Sequence, residues 1–430
     1  MTSKASEPPA RRLAVLVVSQ NYAPEPTGSG KYSGEMAAWL AQRGHHVQVI
    51  AAVPHYPRWR VRDDAMGNRY SSRTEASVCV QRAPVWLLRS GRVTTLSRIG
   101  LETSFNVLAT RWWLPRLVQR GRPDIVVVVC PPTQVVLWPL LFGNLRRVPV
   151  LVHYQDLQVD AAVNLGMISS ERAKRLLLRA ESWLMRRASH VTTISRAMLS
   201  RVRAKGVATE RSSLFPNWSD LERVQPQQPS QALRHRLGAG RDDVLFTYAG
   251  NIGEKQGLEV LLRAAAQLTR HPRVRVAIVG AGANRTRLED LAGKVGATNV
   301  RFHDLFATAE LGMLLAAADV HLIIQRREAA DIVMPSKLTN ILASGRPCIV
   351  TADEGTELAH VLHTADSGVL VPPGDSSALA QAMVVLSVDA TRRTQLGVRA
   401  RQYAEQHLDH SAVLTRFEGL LLALAARTKR

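Results

Sequence analysis

With 430 residues, 46% of them hydrophobic, the chain has material for two domains with separate cores and holds no run near the ~20 apolar residues of a membrane span. Cys79, Cys130 and Cys348 are scattered, two of them inside expected core strands, which argues against a disulfide framework or a metal cluster and points to the cytoplasm. The net charge of +21 is uneven, +17 over residues 1–220 and +4 over residues 221–430, so a polyanionic partner, nucleic acid or the anionic inner face of a membrane, is expected for the first half alone.

Leu13–Ser19 is an apolar, β-branched run and reads as a buried strand, too short and too structured for a signal peptide despite Arg11 and Arg12. Asn21–Gly30 is a loop rich in Pro and Gly, followed by a helix from about Ser33 to Arg43. Gly28-Ser29-Gly30-Lys31 misses the spacing of a nucleotide phosphate loop, and Tyr32 stands where its metal-binding hydroxyl belongs. The glycine pair Gly28 and Gly30 still allows close backbone approach to a ligand. His46–Ala52 is a second strand. Pro54–Arg73 carries five arginines without periodicity and reads as a long basic loop.

After a strand at Val78–Val85, the pattern from Arg92 to Arg120 is helical, with Trp112 and Trp113 interleaved among arginines. That suits either attachment to a membrane surface or a core helix with a solvated basic back. Asp124–Cys130 is apolar throughout and therefore central and parallel. Pro131-Pro132-Thr133 opens a helix through Phe142. The strand Val150–His153 delivers His153 and Asp156, then Asp160, at its carboxyl end, where open α/β sheets bind ligands. Those groups are candidates for proton handling or for orienting a hydroxyl. A basic amphipathic helix at Glu171–Arg187, a strand, a short helix and a terminal strand ending at Trp218 complete the first domain, residues 1–218. Residues 219–242, polar and rich in Gln and Pro, read as a linker.

The alternation repeats over 243–409. A strand at Val244–Gly250 meets the loop Asn251–Gly257, with Lys255 in it, and then the helix Leu258–Thr269. Val274–Val279 runs into Gly280-Ala281-Gly282, a weak dinucleotide fingerprint without its third glycine. Further strands fall at Val300–His303, Val320–Ile324, Cys348–Ala352 and Gly368–Val371, with helices at about 308–317, 335–344 and 375–388. The helix opened by Pro335 and closed by Gly345 points its free N–H groups above the sheet, where anions bind. Ser336 and Lys337 add a hydroxyl and a positive charge in its first turn, and Asn340 lies about one turn deeper. The last forty residues are helical, broken near His410. The order gives an α/β protein of two Rossmann-like βαβ domains facing a cleft, with the C-terminal helix, about 410–430, returning to the first domain.

Six landmarks in this order resemble the GT-B fold glycosyltransferases of the retaining family 4. They are Leu40–Val47 after the Gly28/Gly30 loop, Pro216–Asp220, Gly250–Leu258, Val279–Gly282, Ala316–Val320 and Pro335–Pro347. The stretches beginning at His153 and Gly250 are most similar to colanic-acid-type exopolysaccharide glycosyltransferases, where a fucosyl donor is often assigned. The resemblance implies that Lys255 grips the donor diphosphate and that His153 faces the sugar and acceptor. The family's partner arginine is replaced by Asn251. Its second ribose-binding glutamate falls at Asn340, where an amide gives less charge assistance.

The implied reaction moves a sugar from a GDP- or UDP-linked donor to a lipid-linked saccharide, with retention. Lys255, Lys337, the helix start at Ser336 and the Gly28/Gly30 amides would stabilise the departing diphosphate without a metal ion, and the sequence holds no D-x-D. Asp156 and His153 would position hydroxyls, and domain closure would exclude water. The basic first half would dock on the inner face of the membrane. Competing expectations are a sugar-nucleotide epimerase of the same fold and a nucleic-acid-binding protein, the latter disfavoured because the crevice motifs lie in the nearly neutral half.

Overall fold

The computed structural model describes residues 11–25, 28–55, 67–86, 95–164, 167–168, 170–307, 310–327 and 337–427. Pro335, Ser336, residues 56–66 of the basic loop and the side chain of Lys255 lie outside the described residues. The chain divides into two compact units. One runs to Pro216 and resumes at Leu414, and the other is Asn217–Val413.

The first unit is built on β1 (Ala14–Ser19), β2 (His46–Ala52), β3 (Ser71–Glu75), β4 (Val78–Ala83), β5 (Ile125–Cys130), β6 (Val150–Tyr154), β7 (His190–Thr193) and β8 (Ser212–Leu214). Their order is β3-β4-β2-β1-β5-β6-β7-β8, parallel except for the β3–β4 hairpin. Every residue of β5 is buried, as a valine run needs when helices cover both sheet faces. The chain moves from β1 to β2 on one side and reaches β5 on the other, so the switch point lies at the carboxyl ends of β1 and β5.

The helices are α1 (Gly28–Gln42), α2 (Thr95–Leu108), α3 (Thr110–Val118), α4 (Leu137–Arg146), α5 (Gln158–Asn164), α6 (Glu171–Arg187) and α7 (Arg196–Ala204). Right-handed crossovers put α3, α4, α6 and α7 on one sheet face, because each advances the chain in the same direction across the strands. Trp113 of α3 meets Phe142 of α4 beneath that layer, with ring centroids 5.5 Å apart. The stretch expected as one helix to Arg120 is thus two described helices. Its tryptophans face inward: Trp113 is buried, and the Trp112 indole N–H donates to the Arg82 carbonyl. For these two rings the core reading holds and the lipid-anchor reading fails.

The C-terminal helix, His410–Arg427, covers part of this unit from Leu414 on. Phe417 stacks on Phe215 at 3.9 Å, and the buried Glu418 carboxylate accepts from His45 Nε2 at 2.8 Å and from Arg43 at 3.2 Å. His45 Nδ1 accepts the Leu13 amide, which leaves the ring proton on Nε2, facing Glu418.

In the second unit β9 (Val244–Ala249), β10 (Val274–Val279), β11 (Val300–His303), β12 (Val320–Ile323), β13 (Cys348–Thr351) and β14 (Gly368–Val371) form a parallel sheet in the order β11-β10-β9-β12-β13-β14. The switch point is at the carboxyl ends of β9 and β12. The segment read as a linker holds α8 (Gln231–Arg236), whose buried Arg234 donates to Asp319 and to the carbonyls of Ala317 and Asp243. Then come α9 (Glu259–Gln267), α10 (Arg285–Val295), α11 (Leu311–Ala317) and α12 (Lys337–Ala343), with further helices at Glu357–Ala365, Ser376–Val388 and Ala390–His407.

Candidate functional site

In the first unit the expected loop is shorter than its sequence indicated. Helix α1 starts at Gly28, five positions before Ser33, so Gly28 and Gly30 lie in its first turn at the carboxyl end of β1. Gly30 is dictated by packing, since a Cβ there would come within 2.8 Å of Glu25 Cβ and Oε2. Glu25 is buried and accepts from Asn21 Nδ2 at 2.8 Å and from the His55 amide at 3.0 Å, tying the loops after β1 and β2 together. Sequence reasoning gave Glu25 and His55 no role, because their pairing is not local.

His153 is buried within β6. Its Nδ1 meets Thr192 Oγ1 at 3.0 Å, and its Nε2 meets the Gln155 amide nitrogen at 2.9 Å. An amide NH₂ only donates, so Nε2 accepts and the ring proton sits on Nδ1. Burial pushes the imidazole down to about 3, so it is neutral near pH 7. That fits a hydrogen-bonding and positioning group better than a proton carrier. Asp156 follows two residues beyond β6, half-buried. Asp160 is turned elsewhere: with Glu181 it ion-pairs Lys205, a partly buried cluster that joins α5, α6 and the end of α7. Its expected part at the strand edge is therefore replaced by a structural one.

In the second unit Asn251 follows β9 directly, and Lys337, Gly280 and Gly282 come up against residues 250–252 at its carboxyl end. Gly250 has φ +146°, a conformation open to glycine, and a Cβ on it would lie 2.7 Å from Lys337 Nζ. The Lys337 ammonium also lies over the Tyr248 ring, 3.9 Å from its centroid. Among the described residues it has no hydrogen-bond or ion-pair partner, and burial lowers it to about 7. The Tyr248 hydroxyl donates to the Asn251 carbonyl at 2.6 Å, fixing the turn where the resemblance would place an arginine. A positive charge is thus kept beside position 251, supplied by α12.

Gly280 and Gly282 answer to the protein's own backbone. A Cβ on Gly280 would be 1.9 Å from the Gly250 carbonyl, and one on Gly282 would be 2.2 Å from the Ile252 carbonyl. They let the loops after β9 and β10 lie against each other, which shapes the switch point. Lys255 belongs to the single turn Glu254–Gln256, capped by Gly257 with φ 62°. Asn340 is also committed: its Oδ1 accepts from Ser219 Oγ at 2.8 Å, which joins α12 to the start of this unit. That bond uses one of the two lone pairs of Oδ1, which leaves the other lone pair and the NH₂ of Asn340 for a ligand.

Two parallel-sheet α/β units, with ligand-competent loops at each switch point and a returning C-terminal helix, define the GT-B class of fold. Residues 27–218 match the family described as Glycosyl transferase 4-like domain, and residues 243–389 match Glycosyl transferases group 1. The chain is 36% identical over 415 residues to the colanic acid biosynthesis glycosyl transferase WcaI of Escherichia coli (strain K12), covering 94% of this chain and 98% of that one. It belongs to these glycosyltransferases. Glycosyltransferase WbjE of Pseudomonas aeruginosa is 26% identical over 79% of this chain and 84% of its own. Among solved structures, sucrose-phosphate synthase from Thermosynechococcus elongatus superposes with TM-score 0.73 at 18% identity, covering 97% of this chain and 100% of that one. Anabaena HepE in complex with UDP gives 0.72 at 16% identity, covering 96% and 100%. The structural likenesses carry the fold alone.

Proposed function

We propose that this glycosyltransferase moves a sugar from a nucleoside-diphosphate sugar, GDP- or UDP-linked, to a hydroxyl of a lipid-linked saccharide, with retention, in exopolysaccharide or cell-envelope glycan synthesis. The observation that carries this reading is Lys337: a cation held on Tyr248 and Gly250 at a strand-end switch point, without an anionic partner among the described residues. Removing a charge from water is costly unless an opposite charge meets it. A diphosphate supplies that charge. The name of the Escherichia coli relative supports the exopolysaccharide setting, and the UDP complex of HepE supports the donor class.

As the bond from the anomeric carbon to the leaving oxygen breaks, positive charge develops on the sugar and negative charge on the diphosphate. Lys337 and Lys255 are the proposed stabilisers of that leaving group, so the reaction as proposed takes no metal ion. Neutral His153 and nearby Asp156 are proposed to hold sugar or acceptor hydroxyls, and Asn340 to donate to the nucleotide. Gly28, Gly30, Pro335 and Ser336 are proposed donor-binding residues, Gly28, Gly30 and Ser336 through their backbone amides. A fucosyl donor is the specific choice the colanic-acid likeness favours. No described helix is long and apolar enough to cross a membrane, and peripheral attachment at the inner membrane face is proposed through the basic first half.

The test is thermal stabilisation by GDP, UDP and ADP, followed by turnover of the matching sugar nucleotide with and without a lipid-linked acceptor. Product only with acceptor, abolished by Lys255→Ala in a folded protein, supports the reading. Conversion of the free sugar nucleotide to an epimer, or near-normal turnover of Lys255→Ala, contradicts it.

A further inference from the structure

Helices α3, α4 and α6 cover the same face of the first sheet, and each leaves large apolar side chains exposed on its solvent side. A surface helix ordinarily turns polar residues outward. On α4 the outward positions are Leu137, Leu141 and Leu145, spaced by four and 50%, 45% and 58% exposed. Beside it Val118, the last residue of α3, is 82% exposed, while on α6 Leu176 is 68% and Trp183 48% exposed. Apolar surface shared by three neighbouring helices needs a partner.

The charge around it says which. Along α6, Arg172, Arg175 and Arg179 are exposed and form no ion pair among the described residues, and Arg187 lies over the Trp183 ring at 4.9 Å. At the other border the Arg122 guanidinium donates to the carbonyls of Arg146 and Arg147, holding the ends of α3 and α4 together beside exposed Arg120 and Arg147. Leucines framed by arginines suit an apolar boundary that begins just beneath a layer of negative charge. A second copy of the chain fits poorly, because a two-fold contact through this face would bring the α6 arginines of both copies together.

We infer that the outer surface of α3, α4 and α6 is the membrane-contact face, with the α4 leucines entering an anionic lipid leaflet and the α6 arginines meeting its headgroups. This rests on the proposed peripheral attachment and gives it a place on the first unit.

The experiment is co-sedimentation of the full chain with vesicles of phosphatidylglycerol and phosphatidylcholine, or of phosphatidylcholine alone. Wild type should bind the anionic vesicles and lose them as salt rises. Leu141→Glu/Leu145→Glu and, separately, Arg175→Glu/Arg179→Glu should each weaken binding by roughly tenfold or more, with melting temperatures kept because all four side chains face outward. Lipids brominated near the headgroup should quench Trp183 fluorescence, a signal that Trp183→Phe removes. If wild type binds and both double variants bind equally well, this face is wrong while peripheral attachment stands. If wild type ignores anionic vesicles, both fall. A dimer that Leu141→Glu/Leu145→Glu dissociates, without vesicle binding, would assign the face to a second copy and overturn the inference.

Discussion

The ammonium of Lys337 lies 3.9 Å from the centroid of the Tyr248 ring and fills the space that a Cβ on Gly250 would take. The glycine, the aromatic platform and the cation therefore form one device. A side chain at 250 would meet the lysine and also violate the backbone conformation. Gly250→Ala should cost about 1–3 kcal/mol of stability, the usual range for a forced backbone strain. It should also weaken nucleotide binding by displacing Nζ. Denaturant melts and nucleotide titrations on the same samples check both effects.

Lys337 makes stability depend on pH in an identifiable direction. Its folded value is about 7 against 10.5 in the unfolded chain, so between those values the unfolded state holds more protons. Stability from this group therefore rises as pH climbs from about 7 to about 10.5, and the burial penalty is fully present below about 7. Lys337→Met removes the penalty. The ligand-free variant should melt higher than wild type at pH 6, with the gap closing toward pH 10. Binding of an anionic nucleotide should follow the opposite course in wild type and weaken above pH 7, where the lysine loses its proton.

His153 predicts acid lability of the first unit. Its imidazole, lowered to about 3 by burial, is neutral in the fold and charged in the unfolded chain below about 6.5. Its contribution is intact above 6.5 and is lost as pH falls toward 3. His153→Gln should flatten that part of the profile. His153→Ala should cost about 1–3 kcal/mol at pH 7 by leaving Thr192 and Gln155 without their ring partner. Rate profiles between pH 5 and 8 should show no ionisation of His153, which pH–rate comparison with His153→Gln checks.

Glu418 anchors the C-terminal helix through His45 and Arg43 from a buried position. Removing one partner of such a pair leaves buried charge uncompensated, so Glu418→Ala should destabilise by roughly 3 kcal/mol or more. Glu418→Gln keeps an acceptor for the His45 N–H and should cost less. Chemical denaturation of the two variants distinguishes these outcomes.

The strands were legible because their periodicity is local. The valines of β5 mark a central strand, and the apolar runs of β1 and β9 mark strands, from the sequence alone. Helix α10 was missed: Leu288, Leu291, Ala292 and Val295 form a short stripe packed on the core, but it is interrupted by charged residues and Gly293 and only Leu288 is fully buried. The early start of α1 was not legible, since Gly-Ser-Gly has poor intrinsic helix preference and the neighbouring Glu25 loop holds it. At the site, Lys337 was readable as an anion-binding candidate from its place in a helix that follows a strand. Its platform on Tyr248 and the capture of Asn340 by Ser219, 121 positions apart, were not. Trp112 and Trp113 show the converse, because an alternation of arginine and tryptophan looks the same on a core helix and on a lipid-facing one.

The most direct test of the central claim is a calorimetric titration of the best-stabilising nucleoside diphosphate into wild type and Lys337→Met at pH 6.5. A charge-assisted contact to the diphosphate worth about 1.5–3 kcal/mol predicts binding roughly ten- to a hundredfold weaker in the variant, with the fold retained. Equal affinity in the two proteins would contradict a diphosphate site at Lys337.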